Sequence, residues 1–421
     1  MPADRNRLIG RYLSIATKAR KIGHSDWHQV RELVEAEGDN LDPICELAVE
    51  SIISRSDVDG ALIGLSEFHR FTGSASVKSL VRAVGRLGGR SPRRVGAYLL
   101  HLGAIALCRS DHQTATSRFK TALVFFQKDR DEQGRADCTY SLGTVARNLL
   151  QYGTATDRYE EAIKLYRRNF HGKANCIFGL GGIAMRRSDH ATALARFSEA
   201  LALYQDTNDE QGEGNCIQLI GRIALERSDQ ATAAAKFHEA LALFQRIGSA
   251  QSAATCILDL GEVATQCSDQ ESAKIQFDAA LALFRHYGNV QAEANCIRRL
   301  GIISLRNSDY GSAAARFDAS LALYQKSEDQ SGVAEALIRR GQARIGAGGI
   351  AQGIADIESG FGLYFQIADT EDRAVGGWQA LHRALICENP AEAAKHLKKA
   401  ETLWTLIGRI DLVQDWLTPI P

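Results

Sequence analysis

The sequence predicts an all-α fold of stacked helical hairpins, and three recurring features predict it. A Leu-Gly or equivalent pair returns about every 40 residues, an aromatic residue follows most of these glycines, and a cysteine precedes several of them. The glycines are Gly103, Gly143, Gly181, Gly221, Gly261, Gly301 and Gly341; the aromatic residues are Phe119, Tyr159, Phe197, Phe237, Phe277 and Phe317; the cysteines are Cys138, Cys176, Cys216, Cys256 and Cys296. This period is typical of a solenoid, which presents a long surface for binding.

Each repeat is predicted to contain two helices, as residues 209–248 illustrate. Asp209 can cap a first helix through its side-chain oxygen, and the tripeptide at 227–229 ends that helix. Asp229 then caps a second helix from Gln230 to Arg246, which would be about 25 Å long.

The predicted helix caps recur with the same period as the glycines. The first-helix caps are Asp131, Asn169, Asp209, Ser249, Asn289, Asp329 and Asp369; the second-helix caps are Asp111, Asp189, Asp229, Asp269, Asp309, Gly349 and Asn389. Gln151 is the exception, in the one repeat whose glycine lies 38 residues from the next, and the start of its second helix is unclear. We therefore predict about eight hairpins over 95–410 and a C-terminal tail at 411–421.

Residues 1–94 do not follow this period but still look helical, with predicted helices at 7–21, 26–37, 41–54, 57–70 and 75–88. We expect an irregular helical cap that packs on the first repeat.

Composition narrows the class of function and the compartment. The formal net charge is zero, which argues against nucleic acid and against anionic membranes as partners. No apolar run approaches the roughly 20 residues of a membrane span, and the N-terminus lacks a signal-peptide core. The repeat cysteines are too far apart for disulfides, so we expect free thiols and a cytoplasmic protein.

The unit at 174–207 resembles a tetratricopeptide repeat. Leu180-Gly181 match the Leu-Gly pair of that family, and Ala193, Phe197 and Ala200 match its Ala, aromatic and Ala positions. The resemblance implies a right-handed α-α superhelix whose groove is lined by the first helices. The period of 40 instead of 34, and Ala184 where an aromatic is usual, depart from the pattern and resemble the longer repeats of kinesin light chains and polarity adaptors.

A second resemblance extends over nearly the whole chain. The segments RELVEAEGDNL at 31–41 and SDVDGALIGLSEFHRFTG at 56–73, followed by the repeats, look like the sensor arms of NB-ARC and NACHT-type signalling NTPases. It implies a non-enzymatic protein-binding scaffold that acts as a sensor arm without the NTPase domain. A free-standing peptide-binding adaptor remains open, as does a regulator or enzyme without a sequence signature.

No motif in the sequence indicates catalysis, a metal site or a cofactor. The segment at 73–79, GSASVKS, has Val77 where a phosphate-binding loop needs its second glycine. The repeat cysteines form no CxxC pairs and have no histidine partners nearby, so we expect them to be buried packing residues.

Groove positions carried over from the tetratricopeptide family vary in chemistry between repeats, which suits an extended peptide. These candidates are Tyr140, Thr144, Asn175, Phe178, Asn215, Gln218, Arg222, Leu258, Glu262, Asn295, Arg298 and Ile302. A run of arginines on three first helices would favour an acidic partner if half of them face the groove. It comprises Arg298, Arg299, Arg306, Arg339, Arg340 and Arg344.

Overall fold

A computed structural model describes residues 9–15, 17, 81 and 91–367, together with positions 391, 395, 397, 398 and 401. The regular structure of these residues is α-helical throughout, which confirms the all-α fold class. Over 91–367 the helices are α1 (Pro92–Cys108), α2 (His112–Lys128), α3 (Glu132–Asn148), α4 (Tyr152–Leu165), α5 (Phe170–Arg186), α6 (His190–Asp206), α7 (Glu210–Glu226), α8 (Gln230–Arg246), α9 (Ala250–Gln266), α10 (Gln270–Tyr287), α11 (Val290–Arg306), α12 (Tyr310–Lys326), α13 (Gln330–Gly346) and α14 (Ile350–Ile367). Odd-numbered helices are the first helices of the hairpins, and even-numbered helices are the second.

The chain divides into two compact units. Unit 1 contains Met1–Cys216 and Gln245–Ser249, and unit 2 contains Ile217–Phe244 and Ala250–Pro421. In unit 1 the hairpin pairs α1–α2, α3–α4 and α5–α6 pack most extensively, and in unit 2 the pairs α9–α10, α11–α12 and α13–α14 do so. Each of these twelve helices therefore packs mainly on its sequence neighbour, as expected of a repeat protein.

Side-chain caps begin most of the helices, as predicted. The Asp131 carboxylate accepts from the Gly134 amide at 3.0 Å, and Asp229 accepts from the Thr232 amide at 3.1 Å. Because these bonds satisfy amides that the first helical turn leaves unpaired, they define where each helix starts. The same bond is present at Asp111, Asn169, Asp189, Asp209, Asp269, Asn289, Asp309 and Asp329.

The irregular repeat lacks two features that most other repeats have at the turn between their two helices, a side-chain cap and a serine with positive φ. Gln151 makes no side-chain cap bond, and the residue before it, Leu150, has a φ of 59° where most other hairpin turns have serine. The helix that follows, α4, has 14 residues, whereas the second helices α2, α6 and α8 have 17. This shorter helix, with a slightly longer turn after it, explains the 38-residue spacing.

Close packing of a ring on a helix explains the glycine and aromatic periods. A Cβ added to Gly181 would lie 2.8 Å from the Phe197 ring, and one added to Gly261 would lie 2.5 Å from Phe277. No real Cβ approaches a neighbour so closely, so glycine is required for the second helix to approach the first.

The five repeat cysteines are buried free thiols. Burial raises the pKa of each thiol to about 12, so they remain protonated at neutral pH. They therefore act as small packing residues within the helices.

Several predictions lie outside the described residues. These are the helices predicted over 26–37, 41–54, 57–70 and most of 75–88, the segment at 73–79, the caps at Asp369 and Asn389, and the tail at 411–421. Seven hairpins are described, and the division into cap, eight hairpins and tail stays a prediction. Among the helices that could be searched, none has the length and apolar character needed to cross a membrane. In the same residues, His, Cys, Asp and Glu form no group of three suited to a metal ion.

Candidate partner-binding faces

The candidate positions occur on one face of the first helices. In each repeat they are the residue before the cysteine position, the second residue after it and the sixth residue after it. Spacings of three and four residues bring side chains to one helix face. We call these positions the first-helix face of each unit. Most candidates there are partly buried: Tyr140, Thr144, Asn175, Phe178, Asn215, Gln218, Leu258, Glu262 and Asn295. Arg222 is exposed.

Ile302 was wrongly predicted to line the groove. It is only 5% exposed and packs in the core with Leu305, Ala313 and Phe317. The segment 300–305 of α11 is buried throughout, so this position faces neighbouring helices.

Arg298 also differs from the prediction of an available groove residue. Its side chain is buried, and the guanidinium donates to the Tyr324 hydroxyl at 3.2 Å and forms an ion pair with Glu335. A ligand would have to break this pair before it could bind Arg298. The residue therefore links α11 with α13 in this structure.

The first-helix face of unit 1 contains two aromatic rings, each supported by a second ring. The Tyr140 and Tyr159 ring centroids are 5.7 Å apart, and those of Phe178 and Phe197 are 5.4 Å apart. Thr144 lies 3.2 Å from the Tyr159 hydroxyl. These contacts hold Tyr140 and Phe178 in place while leaving part of each ring exposed.

A tyrosine hydroxyl binds the residue before the cysteine position in three repeats. Tyr166 donates to Asp137, Tyr204 donates to Asn175 and Tyr324 donates to Asn295, each at 2.6 Å. Asn175 and Asn295 were predicted to contact a ligand, but their side-chain oxygens already accept hydrogen bonds from these tyrosines.

The repeat pattern did not single out these tyrosines as part of the face, although each follows its partner by a constant 29 residues. Asn215 does not follow the pattern, because the residue 29 positions later is Phe244. Its side chain instead accepts a hydrogen bond from Gln211 at 3.2 Å.

The first-helix face of unit 2 carries a ladder of polar contacts between successive first helices. Gln218 on α7 donates to Asp259 on α9 at 2.6 Å, and Arg299 on α11 pairs with Glu262 on α9 at 2.7 Å. The Arg298–Glu335 pair extends the ladder to α13.

One acid of this ladder, Asp259, is buried. Burial raises the pKa of the Asp259 carboxyl, while the nearby Arg222 guanidinium opposes that shift. Attraction by Asp259 in turn raises the pKa of Arg222. The two side chains therefore favour each other's charged forms.

Most of the predicted arginine run is paired within the protein. Besides the two pairs above, Arg340 and Arg344 both bind Asp356, at 2.6 and 2.7 Å. Arg340 also pairs with Asp318 at 2.6 Å. The arginines therefore do not present a uniformly positive surface.

No protein-family profile matches the chain, and no curated protein matches it. Solved structures do match. A Rap protein complexed with competence and sporulation factor has a TM-score of 0.55 at 13% identity, over 96% of this chain and 99% of that one. Aspartyl phosphate phosphatase F from Bacillus subtilis has a TM-score of 0.54 at 13% identity, over 84% and 93%.

A third similar structure is a signal-transduction ATPase with a tetratricopeptide repeat sensor from Pyrococcus horikoshii. Its TM-score is 0.51 at 12% identity, and the match covers 87% of this chain and 55% of that one. These likenesses confirm the tetratricopeptide fold and the resemblance to a sensor arm at the level of the fold.

Proposed function

We propose that this chain is a non-enzymatic protein-interaction module that binds an extended peptide or protein segment along its first-helix faces. The observation that carries the proposal is the contrast between the two kinds of helix. Second helices repeat the same buried alanines and rings, whereas one first-helix position changes from repeat to repeat. The position two after the cysteine is Tyr140, Phe178, Gln218, Leu258 and Arg298 in turn. Recognition of an irregular partner requires such unevenness, and stacking alone does not.

The similar structures support a sensing role within a signalling system. One Rap protein is complexed with competence and sporulation factor, and a Rap conjugation regulator is in complex with the Phr* peptide. The Pyrococcus protein carries its repeats as a sensor. Identities of 12–13% extend these properties to the present chain only as a proposal.

The ion pairs on unit 2 bear on the charge of the partner. An acidic segment would have to compete with Glu262, Glu335 and Asp356, which already pair with the arginines there. We therefore propose that unit 2 does not select an acidic partner.

Five buried thiols favour a reducing compartment, and we propose the cytoplasm.

A free-standing adaptor is the second candidate, and it shares the same binding face. An enzymatic or regulatory role is the third, since one similar structure is an aspartyl phosphate phosphatase. Detection of an NTPase domain in the same polypeptide or complex would distinguish a sensor arm from an adaptor. Turnover of acyl phosphates by the purified chain would contradict the non-enzymatic proposal.

Photo-crosslinking with the intact chain tests the binding face. Benzoylphenylalanine is placed at position 178 or 258 on first helices, or at position 160 or 238 on second helices, and partners are captured from native extract. All four positions are at least partly exposed, so the probe can reach a partner at each. We expect crosslinked partner at 178 or 258, whereas capture confined to 160 and 238 would refute the proposal.

A further inference from the structure

Gly182 on α5 has no packing reason to be glycine. On the same helix, a Cβ added to Gly172, Gly179 or Gly181 would lie 2.7–2.8 Å from a tyrosine or phenylalanine ring. A Cβ added to Gly182 would meet nothing within 4 Å. Glycine inside a helix costs about 0.5–1 kcal/mol relative to alanine, and here no close contact compensates for that cost.

This open space adjoins the aromatic part of the unit 1 face. Gly182 lies one helical turn beyond Phe178 and occupies the position that Thr144 occupies on α3. The Tyr159 ring contacts α3 through Tyr140 and Thr144, and it also limits the space at Gly179 on α5. The two first helices therefore converge on one ring, with Tyr140 and Phe178 at corresponding positions.

Asp137 supplies the charge on this face. Its Oδ1 accepts from the Tyr166 hydroxyl at 2.6 Å and from the Gln133 amide at 3.0 Å. Burial raises the pKa of this carboxyl. No described residue forms an ion pair with Asp137, whereas the acids Glu262, Glu335 and Asp356 on unit 2 are each paired with an arginine.

We propose, building on the proposed function, that the unit 1 face selects a peptide segment with one apolar side chain and one basic side chain. The apolar side chain occupies the space over Gly182 beside Phe178 and Tyr140. The basic group pairs with Asp137, which then gains the counter-charge that the described residues do not provide. Gly182 occupies the position of Thr144 in its repeat, seven residues past that of Asp137, so the two subsites are about 10 Å apart along the helix axis. The axes of packed helices are themselves about 8–10 Å apart, which makes the distance between the subsites about 14 Å. An extended peptide covers that distance in about four residues.

Degenerate octapeptide pools labelled with fluorescein test this selectivity by fluorescence polarisation. One set fixes leucine and arginine four residues apart in either order, a second replaces arginine by glutamate, and a third replaces leucine by serine. We expect the leucine–arginine pools to bind at least about tenfold more tightly than either other set.

Three variants test which residues determine the selectivity for the peptide pools. Asp137→Asn should reduce the arginine preference to within about threefold. Asparagine occupies this position at Asn175 and accepts the same tyrosine bond, so the fold should be retained. Gly182→Leu should weaken the leucine–arginine pools at least about tenfold by filling the open space. Gly182→Ala fills less of the open space and should weaken binding less. Circular dichroism of this variant tests whether α5 still forms.

Gly153→Leu is the matched control. Gly153 is also a helical glycine with nothing within 4 Å of an added Cβ, but it lies on the second helix α4. Its binding should stay within about twofold of the unchanged chain.

Equal binding of glutamate and arginine pools, no binding by any pool, or unchanged binding by Gly182→Leu would overturn the inference. The proposed function would survive those results if the captured partner still crosslinked at position 178 or 258. It would fall if crosslinking were confined to the second helices.

Discussion

Units 1 and 2 use the same helical scaffold but present different chemistry at the same positions. On unit 1 the first-helix face has the rings of Tyr140 and Phe178 and the carboxyl group of Asp137, which forms no ion pair with any described residue. On unit 2 the corresponding helices carry arginines and acids that pair with one another, as Arg298 does with Glu335. Buried rings and caps recur in both units.

The difference separates the residues that make the fold from those available for recognition. Paired charges on unit 2 link successive first helices and satisfy one another, so they mainly determine how those helices align. The unit 1 face retains partly exposed aromatic rings and an acid that no described cation pairs with. We therefore expect the unit 1 face to contribute more binding energy, although both units are built from the same repeat.

The largest expected effect tests what the units share. Phe197→Ala in unit 1 and Phe237→Ala in unit 2 should each lower the free energy of unfolding by about 3–5 kcal/mol, because both rings are fully buried against a glycine. Urea denaturation followed by circular dichroism measures this loss. Ile275→Ala is the control, because Ile275 is 58% exposed and its truncation should change stability by no more than about 0.5 kcal/mol. A loss below about 1 kcal/mol in one unit alone would show that the units do not share one core design.

The next effect separates paired charge from unpaired charge. Arg298→Met should destabilise by about 2–4 kcal/mol, because it leaves Glu335 without its partner in a largely buried setting. Adding Glu335→Leu should restore most of the loss. Asp137→Asn on unit 1 should cost nothing comparable, because Asp137 forms no ion pair with any of the described residues. Thermal unfolding of the three variants checks the order, and a larger loss for Asp137→Asn than for Arg298→Met would contradict it.

Adjacent glycines on α5 provide a sharper comparison. Gly181→Ala should destabilise by about 1–3 kcal/mol, since its Cβ would lie 2.8 Å from Phe197. Gly182→Ala should instead stabilise by about 0.5–1 kcal/mol, because the space is open and alanine favours the helix. Unfolding midpoints in urea decide between them. The same sign for both changes would mean that Gly182 is also a packing glycine.

The smallest expected effect is the contribution of Asp137 to the pH dependence of folding stability. Burial raises the pKa of this carboxyl above its usual range, so the folded protein binds the proton more tightly than the unfolded chain does. Lowering the pH from 7 towards 4 should therefore stabilise the unchanged protein relative to Asp137→Asn, and the gain should saturate below the unfolded pKa of about 4. Melting temperatures at several pH values measure the difference. A relative loss of stability on acidification would show that a cation pairs with Asp137 in solution.

The repeat period allowed most of the fold to be predicted. Caps and ring–glycine contacts depend on residues close in sequence or one helix away, so Asp229 and Gln230 correctly marked the start of α8. The irregular repeat could be located at Gln151, but the shorter α4 could not be foreseen, because its end depends on tertiary packing.

The candidate site was less predictable, because the same position faces different surroundings in different repeats. Position 302 is buried and position 222 is exposed, although both follow a repeat glycine. Which arginine meets which acid depends on contacts about 37 residues apart, as for Arg298 and Glu335. The open space at Gly182 could be recognised only once its neighbours were known.

The most direct test of the account is the affinity of the captured partner for two variants of the intact chain. One variant replaces Phe178, Asn215 and Arg222 on the first helices by alanine, and the other replaces Lys236 and His238 on the second helix α8. Arg298 is left unchanged, because its removal would break a buried ion pair. Isothermal titration should show at least about a tenfold loss of affinity for the first variant and a change within about twofold for the second. Retained affinity in the first variant with loss in the second would contradict recognition on the first-helix faces.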